Sequence, residues 1–227
     1  MFQSFAKLAA GVELQPVEIL HTYQDQVSIA GTTIVFNNVE FGISEPDGKR
    51  VVFALEVPTN RTVVSIADIN GNTPVLWFNS ATSSESVEFW YVNLTTETIG
   101  TVSVTLDFDP NQLGLDVFKV LNSSATLQDT GQDDVIPVTV TLAVSEGGAV
   151  IAAAIQRINT IPDFIWTGTQ EGAPFGGFER NLGSTLYVGQ GTSTLIAAND
   201  PAFVVICESD QAGIRPVKIG AISIRPG

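Results

Sequence analysis

The chain has 227 residues, of which 44% are apolar and 15% charged, enough apolar material for a sizeable core and too much for a disordered chain. Ten basic residues against 24 acidic ones give a formal charge of −14, a surface that repels phosphate backbones and argues against nucleic acid and anionic membrane as partners. One cysteine, Cys207, excludes an intramolecular disulfide, and the longest apolar runs are far too short to span a bilayer.

At the N-terminus, Phe2, Phe5 and Leu8 follow helical spacing and Gly11 is a natural stop. Lys7 interrupts the apolar run, so the segment does not read as a signal peptide. We expect residues 1–16 to form a short amphipathic helix or arm that packs on its own domain or inserts into a neighbour. Residues 17–227 are expected to form a single β-sandwich domain.

From Val17 onward, strand-like runs alternate with turns. The earlier runs are Val17–Leu20, Val27–Ile29, Thr32–Phe36, Arg50–Val57, Arg61–Ala67, Thr73–Phe78, Ser86–Val92, Thr101–Phe108 and Gly114–Val120. Later ones are Pro137–Val144, Ala149–Ile155, Phe164–Thr167, Thr185–Val188, Thr194–Ala198, Ala202–Glu208 and Val217–Ile224. Period two is clearest where Val102, Val104, Leu106 and Phe108 share a face, and again at Val138, Val140 and Leu142. Asn70-Gly71 is the strongest hairpin signal, followed by Asp47-Gly48 and Gly147-Gly148. With no helical period between strands, the expectation is an all-β protein, an antiparallel β-sandwich of jelly-roll type. Asn122–Asp134 and the glycine-rich Gly168–Gly183 read as long loops, the second carrying Phe175 and Phe178 as a binding or assembly element. No repeat of fixed period is visible.

Candidate chemistry is sparse. His21 is the sole imidazole and reads as a partly exposed histidine at a strand end, with no Ser-His-Asp or Cys-His set to join. Cys207, within Phe203-Val-Val-Ile-Cys207, reads as a buried inert thiol. Asp107, Asp109 and Asn111 alternate as calcium ligands do, but Gln112 and Leu113 stand where a calcium loop would continue, so a solvated turn is the preferred reading. Trp90 alternates out of phase with Phe89 and Tyr91 and, with Phe175 and Phe178, is a candidate aromatic for a ligand or an interface; burial under a second sheet is the preferred reading for Trp90. Neither catalytic residues nor cofactor motifs are found, and a non-enzymatic protein is expected.

The run Arg50-Val-Val-Phe-Ala-Leu-Glu-Val57 precedes Val64-Ser-Ile-Ala-Asp-Ile-Asn-Gly-Asn72. Val87-Glu-Phe-Trp-Tyr-Val92, Gly100-Thr-Val-Ser-Val-Thr-Leu106 and Leu115-Asp-Val-Phe-Lys-Val120 follow. Over residues 27–121 this order resembles poorly characterised β-sandwich virion proteins of tailed bacteriophages. The resemblance implies a virion surface component, such as a capsid decoration protein, head fibre or tail appendage, assembled in the host cytoplasm. Its implied partners are other virion proteins and itself as a homo-oligomer; no functional residues carry over. The alternative is a carbohydrate-binding module or adhesin that recognises a host surface glycan.

Overall fold

The computed structural model describes residues 14–27, 31–58, 62–80, 85–109, 112–135, 138–158, 164–168, 186–209 and 217–227. Among them are fifteen strands and no helix, and every strand pair is antiparallel. The expected N-terminal helix with Phe2, Phe5 and Leu8 lies outside the described residues.

The first eight strands are β1 (Glu18–Val27), β2 (Thr33–Glu40), β3 (Lys49–Val57), β4 (Val63–Ile66), β5 (Val75–Asn79), β6 (Ser86–Leu94), β7 (Ile99–Leu106) and β8 (Leu113–Leu121). They form an inner sheet of order β1-β8-β3-β6-β5 and an outer sheet of order β2-β7-β4. The remaining strands are β9 (Ser123–Asp133), β10 (Val138–Val144), β11 (Ala149–Ile158), β12 (Phe164–Thr167), β13 (Leu186–Leu195), β14 (Asp200–Ser209) and β15 (Val217–Pro226). These make a second inner sheet, β13-β11-β15-β9, and a second outer sheet, β10-β14-β12.

The four sheets stack as outer, inner, inner, outer. One core lies between the N-terminal pair, where Phe53 and Leu55 of β3 meet Ile34 and Phe36 of β2 and Val102 and Val104 of β7. A second lies between the C-terminal pair, where Val140 and Leu142 of β10 face Ala152 and Ala154 of β11. A third cluster joins the two inner sheets, with Ala54, Val87, Phe89 and Phe118 against Ile151, Ala153 and Ile222. The inner strands are thus covered on both faces, which explains their sequences. All nine residues of β3 are buried, as are eight of the nine in β8 and eight of the ten in β15. Outer strands keep the half-buried alternation instead, as in Val138, Val140, Leu142 and Val144 of β10.

The two halves repeat one strand order. Along the chain β1-β8-β3-β6 corresponds to β9-β15-β11-β13, and β2-β7-β4 corresponds to β10-β14-β12; β5 is the extra strand of the first half. The contact between the inner sheets respects this repeat. Asp116 of β8 lies over Gly191 of β13, while Val87 and Phe89 of β6 lie over Gly220 of β15. Corresponding strands have exchanged partners, the relation a two-fold axis produces.

Several sequence expectations change. Asn122–Asp134, expected as a loop, is mostly β9, an edge strand paired to β15; its Ser, Thr, Gln and Asp side chains suit a position with one open edge. Glu18–Leu20 and Val27, from two separately expected runs, belong to one strand, β1, whose polar His21–Gln26 stretch lies at a sheet edge against β8; Ser28 and Ile29 lie outside the described residues. Phe108 falls beyond the end of β7 and is 57% exposed, so the shared face ends at Leu106. Asn70 (φ 49°) and Gly71 (φ 81°) do make a two-residue turn, closed by an Ile69–Asn72 bridge. It makes no two-strand hairpin, however, because it passes the chain from β4 in an outer sheet to β5 in an inner one.

Candidate functional site

Three features of the described residues have chemistry beyond packing. The first is a polar cluster between the inner sheets. Glu56 of β3 faces Gly114 of β8 directly across the ladder, and Asp116 faces Ala54, so the two carboxyls are diagonal neighbours on the face turned toward the C-terminal half. Both are buried, and Glu56 lies within hydrogen-bonding reach of Asp116. A register shift in β1 between His21 and Tyr23 turns Tyr23 into the first core and leaves His21 beside Phe118. His21 Nε2–H donates to Asp116 Oδ1 at 2.8 Å, and the imidazole is only 6% exposed. The expected strand-end placement is corrected: His21 lies mid-strand in β1, half-buried as a residue with its imidazole largely covered.

The cluster is sterically reserved. A Cβ on Gly191 would stand 2.8 Å from Asp116 Cγ, and one on Gly114 would stand 2.5 Å from Glu56 Oε2. Burial, reinforced by the Asp116 charge, pushes the Glu56 carboxyl well above the usual carboxylate range. Among the described residues no donor from another residue meets either Glu56 oxygen or Asp116 Oδ2. Neither of the two described cavities is lined by His21, Glu56 or Asp116.

The second feature is a groove of about 570 Å³ at the opposite end of the stack, lined by Asp47, Arg50, Asn72, Asn93, Thr95 and Asn122 among others. Arg50 is 8% exposed, stacks over Trp77 and Tyr91 at 5.0 and 5.1 Å, and donates from Nε to Asn93 Oδ1 and from Nη1 to Ser123 Oγ. It also bonds the Ser124 carbonyl. Burial lowers its proton affinity, and the two aromatic faces, rather than a carboxylate, offset its charge. Lys49 next to it is spent on structure, its Nζ donating to the carbonyls of Gly42, Ile43 and Glu97.

The third is the β5 edge. The five-stranded inner sheet has more strands than either sheet packed on it, and β5 is its edge strand, with Trp77 and Phe78 packed toward the other inner sheet. Its consecutive residues Val75 and Leu76, which point to opposite faces, are 47% and 42% exposed, and among the described residues the outer backbone edge of β5 is unpaired.

The residues singled out from sequence are dispersed. Trp90 is 7% exposed within the first core, under the outer sheet, and its Nε1–H donates to Glu88 Oε2 at 2.9 Å. Phe2, Phe5, Leu8, Phe175 and Phe178 lie outside the described residues, as does Asn111. Asp107 Oδ1 accepts from the Thr62 backbone N–H at 3.2 Å, and no group of three or more His, Cys, Asp or Glu suited to a metal occurs among the described residues. Cys207 is buried in the second core, and burial pushes its thiol up.

Sequence reasoning missed Glu56 and Asp116. Each is an acid inside an otherwise apolar strand, Val-Phe-Ala-Leu-Glu56-Val and Leu-Gly-Leu-Asp116-Val-Phe, and that mismatch is the signal that marks them. No protein-family model matches the chain, and neither a curated protein nor a solved structure matches it.

Proposed function

We propose that this chain is a non-enzymatic structural component of a virion surface, of the tailed-phage type, assembled in the host cytoplasm and docking through sheet edges and its N-terminal segment. The observation that carries the docking reading is the β5 edge, where Val75 and Leu76 stand exposed beside a backbone edge unpaired among the described residues. Open edges of this kind are templates for pairing, and closed symmetric assembly is one way to cover them. The strand order supports a finer reading of the fold as two successive jelly-roll sandwiches, the sheets of each half interleaving along the chain. Jelly rolls serve viral capsids and lectins alike, so this support is by fold analogy, and the virion assignment itself leans on the sequence resemblance. The imidazole of the only histidine is largely covered, 6% exposed, which supports a non-enzymatic role.

A host glycan is the second reading, favoured by the groove beside Arg50. Asn72, Asn93, Thr95 and Asn122 there offer amide and hydroxyl groups suited to sugar hydroxyls. Trp90 takes no part in this reading, being enclosed in the first core.

The test is the solution mass of the full chain by light scattering, beside the triple variant Phe2→Ser, Phe5→Ser, Leu8→Ser. A defined oligomer that the triple variant reduces in mass supports docking through the N-terminal segment. Two clean monomers, with glucose or a uronic acid shifting amide signals of Asn93 and Asn122, would replace it with the glycan reading.

A further inference from the structure

The Glu56–Asp116 pair has an unmet need that its geometry defines. Two carboxylates in contact, both sealed between sheets, cannot both stay ionised without a compensating charge. If Glu56 carries a proton, its hydroxyl donates to Asp116 Oδ2, and an oxygen otherwise without a partner on each residue is satisfied at once. His21 Nε2–H already serves Asp116 Oδ1 from the other side.

We propose that Glu56 and Asp116 share one proton, and that this proton latches the two inner sheets together, so that its loss loosens the contact between the halves of the chain. The position supports the mechanical half of the claim. Asp116 rests on Gly191 across the sheet interface, and a charge confined to that plane acts on the contact itself rather than on either core. The charged groups whose strands direct them to this face are His21 on β1, Arg50 and Glu56 on β3, Asp116 on β8, Arg157 on β11 and Lys218 on β15, with Arg50 at the far end of β3 stacked on Trp77 and Tyr91. Lys218 is engaged by Asp134 at 3.4 Å. From β6, Val87 and Phe89 bring only apolar surface to the same place, and from β13 Gly189 and Gly191 bring none.

Glu56 in the folded chain binds its proton more tightly than an ordinary glutamate, whose pKa is about 4.3. Above that range the unfolded chain releases a proton that the folded chain keeps. The stability from this group is therefore complete below the ordinary carboxylate range and is lost as pH rises toward the folded value, the proton passing to solvent base.

The experiment uses the full chain and Glu56→Gln, whose amide mimics the protonated acid. Infrared spectroscopy at neutral pH is expected to show a protonated carboxyl band in the wild type that the variant lacks. Urea unfolding followed across pH is expected to show the wild type losing stability as pH rises, and the variant staying flatter. At the alkaline end the variant's folded-to-unfolded ratio should exceed the wild type's by about tenfold or more, the equivalent of one pKa unit. Asp116→Asn is the second variant: it replaces the repelling charge by a donor, so the wild-type loss should move to lower pH. Absence of the band, parallel pH profiles for wild type and Glu56→Gln, or an unmoved profile for Asp116→Asn would each overturn the latch.

Discussion

Phe89→Ala is expected to destabilise the protein by about 3–5 kcal/mol, the usual range for emptying a buried aromatic site. Phe89 is fully buried, lies near-parallel to Phe78 at 6.3 Å, and sits on the β6 face that meets β15. Gly220 is what lets it sit there, since a Cβ at that position would stand 3.3 Å from Phe89 Cε2. Because Phe89 belongs to the contact between the halves and to neither two-sheet core, its loss also weakens their coupling. Urea unfolding should change from one transition toward two, followed by fluorescence for the tryptophans and circular dichroism for the strands. A loss below about 1 kcal/mol would mean that the inner sheets do not pack as described.

Glu88→Ala is expected to cost about 2–4 kcal/mol, a sum of stranded donors reduced by relief of burying the acid. Glu88 is completely buried on the opposite face of β6 and gathers three donors: the Val63 backbone N–H at 3.0 Å, the Trp90 indole N–H at 2.9 Å and Asn79 Nδ2 at 3.4 Å. Burial pushes its carboxyl up, while the Val63 and Trp90 hydrogen bonds pull the other way. Removing the side chain leaves the Val63 N–H and the indole without an acceptor inside the first core. Glu88→Gln keeps one oxygen and should cost less. Equal losses for the two variants, measured by urea unfolding, would show that the hydrogen bonds carry no weight and that Glu88 acts by volume alone.

Strand positions were legible in the sequence because period two and β-branched runs are local properties. Val138, Val140 and Leu142 announce a half-buried strand, and the structure buries all three. Harder to read were features that depend on what lies across a sheet. β9 looks like a polar loop because an edge strand needs little apolar surface, and only its register with β15 defines it. The repeated strand order left no mark in the sequence. Where the two-fold contact places the first half's Phe89 on Gly220, it places the second half's Gly191 under Asp116, so corresponding strands carry a large ring in one copy and no side chain in the other. The polar cluster was hidden for a similar reason: His21 and Asp116 are 95 residues apart, and only the pairing of β1 with β8 brings them together. Trp90 was singled out for its alternation, and its burial follows from an outer sheet whose position alternation alone does not give.

In a stack of four sheets whose middle contact is made within one chain, the strand edges are what stay open to a partner. The β5 edge of the N-terminal inner sheet carries exposed Val75 and Leu76 and is unpaired among the described residues. The most direct test of the assembly reading is the solution mass of the full chain over a range of concentrations, compared with the edge variant Val75→Lys, Leu76→Lys. Assembly through this edge predicts a discrete oligomer for the wild type and a lower mass for the variant, with unchanged circular dichroism. A wild type that stays monomeric at every concentration, or an oligomer whose mass the lysines leave unaltered, would contradict it.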